Sequence, residues 1–109
     1  MSLDKIHTVT IAQSGTDSSE LRVGFRSSVV GIVTPAALTG TAVTFKASVD
    51  GTTFVPVYNE GTQYSVNVGT SRYVALNQSV LRGIQSLKIV SGSSEAAERT
   101  IQVVLKEVY

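Results

Sequence analysis

One histidine, eight carboxylates, nine glycines and four tyrosines are the side chains and turns here that could carry chemistry; there is no cysteine. His7 stands alone. A nucleophilic triad or an imidazole metal site needs partners, and with a single His and no Cys neither can be assembled, so His7 reads as an ordinary residue near a strand edge. Asp4, Asp17, Glu20, Asp50, Glu60, Glu95, Glu98 and Glu107 show no paired spacing on one strand face. Glycoside hydrolysis needs two carboxylates facing each other, and a Ca²⁺ loop needs alternating acids. Asp50 and Glu60 are better explained by turns. The glycines precede no helix, so they cradle no phosphate. Tyr58, Tyr64, Tyr73 and Tyr109 could in principle stack on a sugar. Without Trp, and with Tyr58 and Tyr64 inside strand patterns, a core or cross-strand role explains them better. The sequence therefore predicts no catalytic residue, no metal, no cofactor and no enzyme.

The elements that would carry these residues are strands. Thr41 to Tyr58 is the clearest unit: Val43, Phe45, Ala47 and Val49 alternate with Thr44, Lys46 and Ser48, the period of a half-buried strand. Asp50-Gly51 then tolerates positive φ and predicts a tight hairpin, with Thr53 to Tyr58 returning. Further strands are predicted over 6–12, 21–26, 29–33, 63–68, 72–76, 84–91 and 99–108. Val9 and Ile11 share one face, as do Leu21, Val23 and Phe25; Tyr64, Val66 and Val68; Leu87 and Ile89; and Ile101, Val103 and Leu105. The apolar run 29–33 reads as buried on both faces, with Gly31 at a bulge or a close approach. Asn59 to Thr62 is a second turn. Asn77 can cap and Gly83 can end a single helical turn. The fold class is all-β: an antiparallel two-sheet β-sandwich, jelly-roll-like, with eight or nine short strands and at most one short helical turn.

Composition agrees. Hydrophobic residues make up 42% and charged ones 16%, with 17 Val against 7 Leu and 26 Ser plus Thr. Such a balance suits a pleated surface better than a helix. At 109 residues the chain is one domain, read as a flexible arm over 1–5 and a sandwich over 6–109. Nine basic and eight acidic residues leave a net charge of +1 with no basic stripe, which argues against nucleic acid as a partner. Arg22, Arg26, Lys46, Arg72, Lys88 and Lys106 fall mostly at outward strand positions, where they serve solubility and edge protection or, alternatively, a docking face. The lack of Cys fits folding in a reducing cytoplasm. No apolar run approaches membrane-spanning length and no signal segment opens the chain, so a soluble, uncleaved protein is expected.

Several segments taken together resemble a known group. Gly31-Ile32-Val33-Thr34-Pro35, Val43-Thr44-Phe45, Ser48 to Phe54, Pro56-Val57-Tyr58, Leu87 to Gly92 and Arg99-Thr100-Ile101 are similar to small virion structural proteins of tailed bacteriophages. The resemblance runs from about Ile11 to the C-terminus. It implies a non-enzymatic virion protein that decorates or stabilises the head, binding the major capsid protein or other virion proteins, as a homo-oligomer or not. A neck, collar or tail accessory is one alternative, and a carbohydrate- or receptor-binding module another. The location implied is the virion, with the host cytoplasm during assembly. Candidate docking elements are the polar lead Met1, Ser2, Leu3, Asp4 and Lys5 and the apolar end Val108-Tyr109.

Overall fold

The computed structural model describes residues 4–107. Eleven β segments follow in order: β1 (Asp4–Ile11), β2 (Leu21–Arg22), β3 (Ser27–Val33), β4 (Ala42–Ser48), β5 (Val55–Pro56), β6 (Tyr58–Asn59), β7 (Thr62–Gln63), β8 (Ser65–Asn67), β9 (Tyr73–Ala75), β10 (Ser86–Ser91) and β11 (Arg99–Glu107). One sheet, A, runs β1-β11-β3-β9, and the other, B, runs β2-β10-β4-β5, with β8 also pairing β4. All pairings are antiparallel. The result is the expected two-layer β-sandwich.

Alternation builds the core. Val9, Ile11, Val29, Ile32, Ile101, Val103 and Leu105 of sheet A face Leu21, Val43, Phe45, Leu87 and Ile89 of sheet B, and Leu76 and Leu81 close the layer; all are buried. Phe45 is fully buried and stacks on Tyr64, centroids 5.6 Å apart. Tyr64, Val66 and Val68 pack against the core as their alternation predicts.

The strand count is higher than eight or nine because one edge of β4 is shared. β5 pairs Lys46 and Ala47, β8 pairs Ala42 to Thr44, and the β6–β7 hairpin leaves the edge between them. Its turn has positive φ at both Glu60 (54°) and Gly61 (80°), the geometry that two-residue hairpins favour. The predicted tight hairpin at Asp50-Gly51 is instead a six-residue loop, 49–54. Ser48 Oγ accepts from the Gly51 N–H at 2.8 Å, and the Asp50 carboxylate accepts from the Thr52 and Thr53 N–H groups at 2.8 and 2.9 Å. These local bonds capture donors a ladder would need. The strand stops at Ser48, so Val49 is exposed rather than inside. Phe25 also leaves the core: Gly24 (φ 84°) turns the chain, the Ser27 N–H donates to the Gly24 carbonyl, and Phe25 stands at the tip. Residues 77–83 form one turn without a helix, capped as expected by Asn77 Oδ1 on the Ser79 N–H.

Gly31 is both of the things it could have been. Val104 pairs Gly31 while Leu105 pairs Val29, so Val30 is an extra residue beside it, and a Cβ on Gly31 would collide with the Tyr73 ring. Strand β3 is less enclosed than expected: Val29 and Ile32 are buried, Val30 and Val33 half-buried. The first strand begins at Asp4 rather than Ile6, because Asp4 and Lys5 continue the ladder opposite Lys106 and Leu105. Met1, Ser2, Leu3, Val108 and Tyr109 lie outside the described residues.

Candidate functional site

The strand directions give the sandwich two unlike ends. At one end lie the turns 12–17, 34–41, 68–72 and 92–98, and at the other the loops 24–26, 49–54 and 77–85 with Asp4 and Glu107.

Among the described residues, the first end holds the one cluster with the composition of an active site. Glu95 has a side chain with no exposed surface. Its Oε1 accepts from the Thr39 N–H (2.8 Å) and Arg99 Nε (2.9 Å), and its Oε2 from the Gly40 N–H (2.9 Å) and Ser91 Oγ (2.7 Å). The Glu95 backbone is bound to Ser14 and Gly15. Burial alone would raise the carboxyl's pKa, but Ser91, Thr39, Gly40 and Arg99 outweigh it and hold the group at about 2. Every donor is consumed and no face of the carboxylate reaches solvent. This is a clamp on four segments, without room for a substrate. Nothing in the sequence marked Glu95: Ser91 closes one predicted strand, Arg99 opens the next, Glu95 lies in the polar stretch between them, and Thr39-Gly40 arrives from more than fifty residues away.

The other carboxylates do not converge. Asp17 pairs with Lys46 at 2.7 Å on the outer face of sheet B, and that hydrogen bond lowers its pKa. Asp50, held at about 2 by the Thr53, Thr52 and Ser48 donors, is a loop staple. Among the described residues no three His, Asp or Glu side chains gather as metal ligands. His7 is exposed on β1. The tyrosines separate: Tyr64 is a core partner whose hydroxyl accepts from the Asn77 N–H, Tyr58 is exposed on the hairpin beside sheet B, and Tyr73 is exposed on sheet A.

Of the predicted docking residues only Asp4 and Lys5 are described, and Asp4 lies at the second end, opposite Lys106. The same end exposes Phe25 at 59% and Val49 at 70%, the two side chains displaced from the expected core. Arg22, Arg26 and Arg82 are exposed at the same end. Exposed aromatic and arginine side chains are the types that protein interfaces use for their anchors. Sequence reasoning missed Phe25 because its parity matched Leu21 and Val23; the preceding Gly24 was the signal.

No protein-family model and no curated protein matches this chain. Solved structures do. The SPBc2 prophage-derived protein YomS matches at 15% identity over 96% of both chains, with a TM-score of 0.55. The Drosophila NLP core, whose structure concerns pentamer formation and histone binding, matches at 10% identity over 96% of this chain and 99% of that one, TM-score 0.48. A Bacillus endospore appendage protein matches at 13% identity over 100% and 92%, TM-score 0.41. The likeness to YomS is one of fold. It spans the whole sandwich, both loop ends included.

Proposed function

We propose that this chain is a non-enzymatic virion structural protein that decorates the outer face of a phage head. The observation that carries the reading is the match in fold, from end to end, to a prophage-derived protein of the same extent. The sequence resemblance to small virion proteins supports it, and its segments lie on the framework: β3, β4, the loop 49–54, β10 and the start of β11. In this reading the sandwich sits over joints between capsid subunits and docks through the end that carries Asp4, Glu107, Phe25 and Val49. Residues 1–5 and 108–109 add contacts there, and repetition over a lattice makes a weak single contact effective.

The test is the copy number of this chain in purified particles, measured by quantitative mass spectrometry against the major capsid protein. Copies on the order of hundreds, set by the lattice symmetry, are expected for a decoration protein. About a dozen or fewer would place it in the neck or tail, where ring symmetry fixes the count. Absence from particles would overturn the virion reading.

A further inference from the structure

β1 is an edge strand of sheet A, and half of its outer edge is open. The Thr10 N–H donates to Ser19 Oγ at 3.0 Å and the Thr10 carbonyl accepts from the Ser19 N–H at 2.8 Å, both on the side away from β11. Backbone groups alternate in direction along an antiparallel strand. The N–H and C=O of Thr8 and Ile6 therefore point to the same free side, where no described residue pairs with them. Natural edges are blunted by proline, a bulge or charge. Ile6-His7-Thr8 has none of the three, and Ile6 is 66% exposed.

The face behind this edge is neutral. Outward positions from Thr10 to Ile6 on β1, Thr100 to Val104 on β11, Gly31 and Val33 on β3, and Tyr73 and Ala75 on β9 include no charged residue. One row across the sheet is apolar throughout: Ile6, Val104, Gly31 and Ala75 are consecutive partners. Sheet B's outer face, by contrast, carries Lys46, Lys88 and Asp17.

We propose that β1 pairs antiparallel with β1 of a second copy about a two-fold axis at Ile6, joining the two A sheets into one of eight strands. The register is self-complementary. Each Ile6 exchanges both backbone bonds with its counterpart, and the apolar row continues unbroken through the axis. The centre of this edge and the face behind it are neutral and fit a like neutral surface, whereas a charged partner would leave its own charges desolvated against them; Asp4 and Lys5 fall at the rim of the seam, opposite Thr8 and His7 of the second copy. This inference is independent of the virion reading, since it concerns the isolated chain.

Thr8→Pro is the discriminating variant. Its N–H faces the free edge and is not used by β11, so proline is tolerable in the monomer yet removes a donor from the paired edge. Ile6→Lys is the second, placing like charges across the axis at a position already exposed. Sedimentation across micromolar concentrations should give a dimer for the natural chain and half that mass for both variants, whose melting temperatures should not vary with concentration as that of the natural chain does. Amide exchange at Ile6 and Thr8 should slow with concentration in the natural chain only. If Thr8→Pro fails to fold, Ile6→Lys decides. A natural chain that stays monomeric overturns the proposal, even if the same edge captures a strand of another protein. So do folded variants that remain dimeric.

Discussion

Glu95 is the residue whose loss should be felt most out of proportion to its place in a loop. In Glu95→Gln one oxygen becomes an NH₂ group, which must face either the Thr39 N–H and Arg99 or the Gly40 N–H and Ser91, where only the Ser91 hydroxyl can turn to accept. Leaving Arg99 without its anion and at least one buried N–H unmatched should cost about 3–5 kcal/mol in urea unfolding, much of the margin of a small domain. A cost under about 1 kcal/mol would mean that the carboxylate is not clamped as described. The pH dependence has a definite sign. The folded carboxyl sits at about 2 against an ordinary 4.5, so the unfolded chain takes up the proton first. Its stabilisation is complete above pH 4.5 and is lost as pH falls toward about 2. Asp50, also at about 2, acts in the same direction. Glu95→Gln should therefore flatten the acid limb of stability against pH, and an unaltered limb would contradict this account. Phe45→Ala removes a fully buried ring that stacks on Tyr64 and should cost about 3–5 kcal/mol by the same measurement.

Strands were legible where alternation met a long partner and illegible where local chemistry intervened. β4, β10 and β11 bury the residues their period predicts, because each pairs along most of its length. Val49 and Phe25 kept the parity of a strand after the strand had stopped, at Ser48 and Arg22, where side-chain capture at Ser48 and a positive φ at Gly24 redirected the backbone. The short segments β5 to β8 could not be counted from the sequence, since sharing an edge of β4 is a property of the partner. Gly31 could be read as a close approach, but Tyr73 as its neighbour could not. Their coupling is testable. Gly31→Ala should force the ring off the sheet and loosen β9, at about 1–3 kcal/mol. In a Tyr73→Ala background the same change should cost almost nothing, a dependence that additive, independent sites would not show. The end proposed for docking was only half legible. Chain ends are natural candidates, yet that Asp4 meets Lys106, and that Phe25 and Val49 stand at the same end, depends on pairing across nearly the whole chain.

Over the whole molecule the two ends divide the work. One is fastened by Glu95 through Thr39, Gly40, Ser91 and Arg99, while the other exposes apolar and basic side chains that the fold itself does not need. Phe25→Asp should thus leave unfolding within about 0.5 kcal/mol of the natural chain. In the proposed decorating role its occupancy on capsids should fall, as should that of a chain lacking residues 1–3, which removes no described ladder partner. Unchanged occupancy in both would move the docking surface elsewhere. The sheet order also carries a consequence in time. β11, the last strand made, lies in the interior of sheet A between β1 and β3. Until β11 is made, β1 and β3 have no direct ladder to each other, so residues 4 to 98 wait as an unclosed sheet. Closure is one late step that joins β1 to β3 through β11, with the slow kinetics that distant contacts impose.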